Sequence, residues 1–261
     1  MARVREQRRF GAGPYVLGLR RDMSRWHAGF PFDVPALAAV EDLRLDQPVT
    51  ILAGENGSGK STILEALAEA IGFGAEGGEL ERSGERPAVP RNAFDGALVP
   101  ILTAAKPRNG YYLRAESFFN IARFIDSGDI HAPDVSIYGG VPLHQQSHGE
   151  SFLALAANRF GRHGLYLLDE PEAALSVSGE LALVAVIARA AQAGAQFVVA
   201  THSPILFACP RARVFELDDS GVTSPAYDEL QAVRLTRGFL ASPERYLRAL
   251  QDDAGQDEED G

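Results

Sequence analysis

The chain has 261 residues, 46% of them hydrophobic and 23% charged, with a formal net charge of −10. This is a globular composition, sufficient for one large domain with a full core or for two small ones. The acidic balance argues against broad non-specific nucleic-acid binding, no apolar run is long enough to span a bilayer, and the single cysteine, Cys209, excludes an internal disulfide and a multi-cysteine metal site.

Residues 1–13 carry Arg3, Arg5, Arg8 and Arg9 and run into Gly-Ala-Gly-Pro, so they read as a flexible, solvated arm. No apolar signal core follows these arginines, which argues for a cytoplasmic protein. Tyr15–Leu19 reads as a first strand. Trp26–Phe32 is aromatic-rich, with two open readings: packing around a loop, or an aromatic that stacks on adenine.

Val49–Leu52 is a short apolar, β-branched run, read as a buried strand. It feeds Gly54-Glu55-Asn56-Gly57-Ser58-Gly59-Lys60-Ser61-Thr62, which spells G-x-x-x-x-G-K-S. Ile63–Ile71 then carries apolar residues at helical spacing. Strand, glycine loop and helix form the context that a phosphate-binding loop requires. Glycines let backbone N–H groups approach oxygen atoms closely, and the helix start offers unpaired N–H groups and a positive dipole end. Lys60 supplies a point charge for the β- and γ-phosphates, and the Ser61 hydroxyl is a ligand for Mg²⁺.

Residues 72–90 lack periodicity and read as a surface loop. Asn92–Ala105 reads as a helix capped by Asn92, Tyr111–Arg114 as a strand, and Ser117–Ile125 as a helix. After a loop-rich stretch, Ser147 opens an apolar helix that runs to about Phe160. Ser147 with Glu150 has the spacing of a capping box, and the same helix start is also an anion site; both readings stand.

Leu165–Leu168 is a fully apolar strand ending in Asp169-Glu170. Leu181–Ala193 reads as a helix stopped by Gly194. Phe197–Ala200 is another buried strand, ending in Thr201-His202. Val214–Leu217 and Val222–Thr223 suggest a closing hairpin, and Leu230–Leu240 and Ser242–Leu250 are helices. An acidic, disordered tail covers 251–261. Alternating strands and helices describe an open α/β sheet, whose ligands sit beyond the carboxyl ends of the strands. Gly54–Ser61, Asp169-Glu170 and Thr201-His202 each follow an apolar strand and are expected to converge on one site. There Asp169 would hold Mg²⁺, and Glu170 would orient or deprotonate water. His202 would either cap a turn or hydrogen-bond the γ-phosphate.

In this order, Gly54–Ser61, Ser147–Glu150, Leu165–Glu170, Ala174-Leu175-Ser176 and His202 resemble the motif set of ABC-type ATPases: Walker A, signature, Walker B with catalytic glutamate, D-loop and switch histidine. Arg114–Phe119 and Asp169–Ser176 are similar to stand-alone bacterial ATPases related to SMC and DNA-repair head domains. The resemblance implies a P-loop NTPase fold of the ABC type: a mostly parallel core sheet with helices on both faces, a small antiparallel β part and a helical signature subdomain. It implies one ATPase domain over residues 14–250, with the helical subdomain at about 106–160. It also implies ATP and Mg²⁺ as ligands and a head-to-tail homodimer, in which Ser147 and Gly149, with Glu150, cover the nucleotide on the partner's Walker A loop. The function implied is a soluble ATP-hydrolysing switch for a protein or nucleic-acid partner, in DNA repair or phage defence. The alternative is the ATPase subunit of a membrane transporter. Against it, no glutamine lies between Ser61 and His144, the signature reads Ser-His-Gly-Glu, and the D-loop ends in Ser176. Glu116 is the candidate for the missing metal-coupling glutamine.

Overall fold

The computed structural model describes residues 12–74, 77–80, 96–115, 118 and 146–248. Among them, seven strands form one sheet in the order β3-β5-β6-β7-β2-β8-β9. These are β2 (Val49–Gly54), β3 (Gly78–Glu79), β5 (Asn109–Arg114), β6 (Gly164–Asp169), β7 (Gln196–Thr201), β8 (Ala212–Asp218) and β9 (Gly221–Thr223). The five central strands run parallel, and β3 and β9 pair antiparallel at the edges. A separate antiparallel ribbon joins β1 (Val16–Arg21) to β4 (Leu98–Leu102). This α/β architecture, a mostly parallel sheet with a small antiparallel part, is the one that the motif order implied.

The central strands read as continuous apolar runs because both faces are covered. Side chains alternate between two cores with a period of two. Leu52, Tyr112, Leu165, Leu167, Val198 and Ala200 face a cluster that includes Ile63, Leu64 and Leu67 of helix α2 (Lys60–Ile71). Ile51, Ala53, Tyr111, Leu113, Tyr166, Leu168, Phe197 and Val199 face the other cluster. There they meet Phe152 and Leu155 of helix α3 (His148–Arg159), and Leu183 and Ile187 of helix α4 (Val177–Gln192). Ahead of α2 lies a short helix, α1 (Pro35–Ala38).

Several elements differ from expectation. The stretch expected to be a helix over Asn92–Ala105 contains β4 instead; residues 92–95 lie outside the described residues. Pro100 sits in its middle, where it would remove a helical N–H and clash with the preceding turn, whereas the ribbon with β1 tolerates it. Helix α4 begins at Val177 rather than Leu181, because the Ser176 hydroxyl accepts the Gly179 N–H at 3.3 Å and caps it. Within the stretch 106–160, β5 places its buried Tyr111–Leu113 inside the main sheet. Gly13, the last residue of the expected arm, donates its N–H to the Gly194 carbonyl at 2.9 Å, and residues 1–11 lie outside the described residues. The expected helix 117–125 and loop 126–144 lie, apart from Phe118, outside the described residues, as does the tail.

Gln196, at the start of β7, is fully buried. Its Oε1 accepts the N–H groups of Tyr15 and Val16 at 2.6 and 3.0 Å, and its Nε2 donates to the carbonyls of Val16 and Leu45 at 2.7 and 2.6 Å. One amide thus satisfies four backbone groups that approach the sheet from the β1 side. Gln196→Leu strands all four in an apolar setting. We expect a loss of about 3–5 kcal/mol, at 1–3 kcal/mol per orphaned group with partial relaxation. Urea denaturation measures it.

Candidate active site

Three adjacent strands, β6, β7 and β2, deliver their carboxyl ends side by side. Register places Ala53 beside Thr201 and Asp169 beside Ala200. The three segments expected to converge therefore do so.

The loop after β2 is shaped by its glycines. Gly54, Gly57 and Gly59 have φ of +152°, +84° and +95°. A Cβ at Gly54 would lie 2.4 Å from the Leu217 carbonyl oxygen, so no larger residue fits. Lys60 opens α2 with its side chain folded back over the loop. Its Nζ donates to the carbonyls of Gly54 and Glu55 at 2.9 and 2.8 Å. Burial pulls the Lys60 ammonium below its ordinary pKa, against the upward pull of the carboxylates of Glu170, Glu172, Asp169 and Glu55. The Ser58 hydroxyl is buried with no hydrogen-bond partner among the described residues. A loop with inward freedom, a cation and an unsatisfied hydroxyl fits a polyphosphate.

Ser61, the next residue, donates its hydroxyl to Asp169 Oδ1 at 2.8 Å across 108 residues of sequence. The other Asp169 oxygen faces Arg114 Nε at 3.7 Å, and Arg114 also pairs with Glu65 at 2.7 Å. Burial pushes the Asp169 carboxyl up to about 6, only partly offset by the Ser61 hydrogen bond and by Arg114. A raised carboxyl pKa means that the folded state favours the proton. The stabilisation is complete below the ordinary 3.8 and is lost as pH rises through 6. In metal-free protein, Asp169→Asn should therefore gain stability over the native chain as pH rises from 4 to 6. The gain should level off above that at no more than roughly 3 kcal/mol, two pKa units at 1.36 kcal/mol each. Urea titrations at pH 4.5 and 7.5 test this; equal midpoint differences at both would refute it.

Glu170 follows in the left-handed region, with φ of +46°, and its N–H is tied to the Ala200 carbonyl at 2.9 Å. Such a conformation costs an L-residue about 1 kcal/mol and fixes where the side chain leaves the strand end. At the end of β7, the Thr201 hydroxyl and the His202 N–H both donate to Glu172 Oε1, at 2.6 and 2.7 Å, and His202 Nδ1 lies 3.3 Å from the same oxygen.

Ser147 caps α3 through both arms of a capping box: Glu150 N–H donates to its hydroxyl at 3.3 Å, and Ser147 N–H donates to Glu150 Oε2 at 2.8 Å. The Ser147 hydroxyl also donates to Glu150, and this pair of hydrogen bonds holds the exposed Glu150 carboxyl below its usual range. Gly149 sits tightly on the following segment: a Cβ there would be 3.2 Å from the Ala174 carbonyl oxygen.

Residues 37–93 match a family described as an AAA domain, and 81–208 match one described as "AAA domain, putative AbiEii toxin, Type IV TA system". The cytochrome c biogenesis ATP-binding export protein CcmA of Rhodospirillum rubrum is 32% identical over 216 residues, covering 73% of this chain and 89% of the relative. The chain belongs to the ABC-type ATPase superfamily. CcmA of Salmonella typhi is 29% identical over 178 residues, covering 65% of this chain and 83% of that one. Among solved structures, cbiO1 of Clostridium perfringens aligns with a TM-score of 0.45 at 16% identity, covering 91% and 100%. The SMC head domain of Thermotoga maritima aligns at 0.39 and 15%, covering 70% and 92%.

For an ABC-type ATPase, the site holds residues that sequence reasoning missed. Arg114 and Glu65 flank Asp169, and Glu172 grips the His202 turn. The third acid of Asp-Glu-Pro-Glu was the available signal for Glu172; Arg114 opens the Arg114–Phe119 stretch noted for its resemblance, but nothing in that stretch pairs it with Asp169. Glu116 lies outside the described residues. Within the Trp26–Phe32 stretch, Trp26 meets Phe32 edge-on at 4.9 Å and the Arg21 guanidinium lies 5.5 Å from the Trp26 ring, while Phe30 is exposed; both readings of the stretch stay open. Among the described residues no group of three His, Cys, Asp or Glu could hold a metal, and no helix is long and apolar enough to cross a membrane. Ser61 and Asp169 form a hard oxygen pair of the kind that Mg²⁺ takes when phosphate oxygens and water complete its shell.

Proposed function

We propose that this ABC-type ATPase binds and hydrolyses ATP with Mg²⁺ and that it acts as an ATP-dependent dimerisation switch for a partner in DNA repair or phage defence. The observation that carries the reading is the Ser61–Asp169 hydrogen bond, which joins the phosphate loop to the acidic end of β6 with Glu170 next in line. The backbone N–H groups of Gly54–Thr62 and the Lys60 ammonium hold the polyphosphate, Lys60 exchanging its loop carbonyls for phosphate oxygens. Ser61 and Asp169 hold Mg²⁺, which neutralises charge on the β- and γ-phosphates when bound. Glu170 takes a proton from the attacking water, and His202 hydrogen-bonds the γ-phosphate. Ser147 and Gly149, at an exposed helix start, serve the partner subunit's nucleotide, with the Ser147 hydroxyl released from Glu150. Glu150 itself, a carboxylate, stays as the capping partner.

A second reading is favoured by the relatives, which are named as ATP-binding export proteins: the ATPase subunit of a transporter. The absence of a glutamine between Ser61 and His144 and the Ser-His-Gly-Glu signature weigh against it. Capture of partners by Glu170→Gln with ATP separates the two, since an integral membrane protein in the captured set supports the transporter and a cytoplasmic one the switch.

Assembly is the direct test. Glu170→Gln is expected to be monomeric or loosely dimeric without nucleotide and a tight dimer with ATP and Mg²⁺. ADP lacks the γ-phosphate that the opposing helix start reads, so it leaves the open form favoured. Adding Ser147→Arg places bulk and charge at the shared surface and should block dimerisation while ATP still binds. Light scattering that gives the same mass with ATP, with ADP and without nucleotide would sink the switch.

A further inference from the structure

We propose that Glu172 is a positioning residue for His202. It holds the imidazole and its turn in place, and it ties that turn to the segment 172–180. The inference rests on the reading of His202 as the γ-phosphate contact.

The Glu172 side chain is 7% exposed, whereas that of His202 is 51% exposed. Burying a carboxylate is costly unless it is paired and hydrogen-bonded. Here one oxygen, Oε1, takes the Thr201 hydroxyl, the His202 N–H and the approach of His202 Nδ1. The other, Oε2, is buried without a hydrogen-bond partner among the described residues. An apolar residue of similar volume would pack there at no such cost. The acid therefore serves the group that it faces. A carboxylate accepts and cannot donate, so Nδ1 beside it carries the proton. Nε2 is left as the nitrogen available to a ligand. When Nε2 donates to a phosphate oxygen the ring holds both protons, and the carboxylate behind it balances that charge.

The grip is two-sided. The Ser203 N–H donates to Thr201 Oγ1 at 3.0 Å, and the Ser203 hydroxyl donates to the buried Glu180. Glu172 and Glu180 bracket Ala174–Ser176, the same segment on which Gly149 is seated. Two side-chain links, one from Glu172 and one from Glu180, thereby join that segment to the His202 turn.

The test uses the full chain as E172A, E172Q, H202A and the double variant E172A/H202A. We expect E172A to keep the Kd for ATP and to lose about 10–100-fold in kcat, the scale of loss when the partner that orients a metal-ligating histidine is removed, applied here to a phosphate-facing one. The double variant should fall no lower than the worse single one, because both changes remove the same contact. E172Q keeps an acceptor oxygen and should recover most of the loss. Independently, ¹⁵N spectra of the histidine rings in nucleotide-free protein, with His202 assigned by its absence in H202A, should show Nδ1 protonated. A native ring protonated on Nε2 alone overturns the inference without any variant at 172. So does full activity in E172A beside an impaired H202A, or losses that multiply in the double variant. Native turnover in H202A would instead remove the reading of His202, and this inference with it.

Discussion

Glu170→Gln is expected to keep its affinity for ATP and to lose turnover by roughly 10²–10⁴, the usual contribution of a positioned general base. The residue is held from both sides of its own backbone. It follows β6 in a left-handed conformation, its N–H is bonded to the Ala200 carbonyl of β7, and its own carbonyl accepts the Ala173 N–H at 3.0 Å. Glutamine has the same length and meets the same backbone demand, so the strand end should not move. What disappears is the charge that, among the four carboxylates acting on the Lys60 ammonium, acts most strongly. Removing a negative charge from the edge of a polyphosphate site cannot weaken anion binding, so affinity holds or rises while proton transfer fails. Single-turnover hydrolysis with calorimetry separates the two. A rate within tenfold of the native one would make Glu170 a loop acid.

Lys60→Ala is expected to remove ATP binding from the measurable range. Lys60 is 3% exposed, and its ammonium already sits on the carbonyls of Gly54 and Glu55, in the mouth of the loop. Transfer to phosphate oxygens exchanges neutral acceptors for charged ones, and hydrogen bonds of that kind are worth about 1.5–3 kcal/mol each. Loss of two such bonds weakens binding by roughly 10²–10⁴. The change also leaves Asp169, Glu170, Glu172 and Glu55 around the site without the cation that balances them, which repels the nucleotide further. Calorimetry that returns native affinity would end the phosphate-loop reading.

Much of this protein was legible in the chain itself. Local chemistry determined the phosphate loop, because Gly54, Gly57 and Gly59 occupy backbone conformations that other residues avoid, and Lys-Ser follows them. It determined the buried strands β2, β6 and β7, because a strand covered on both faces is apolar throughout, and the Ser147 cap, because its partner Glu150 is three residues away. Local pattern misled at β4, where the apolar spacing of Ala97–Leu102 suits a helix and only Pro100 argues otherwise. Tertiary structure alone decided the rest. That β6, β7 and β2 are neighbours depends on crossovers, and so does the bond from Ser61 to an acid 108 residues away. The same holds for Arg114 beside Asp169, for Glu172 beneath His202, and for the polar Gln196 at the centre of four backbone groups. Each of these contacts pairs a side chain with a group far along the chain. Its energy comes from burial that exists only once the sheet has assembled, so no short window of sequence contains it.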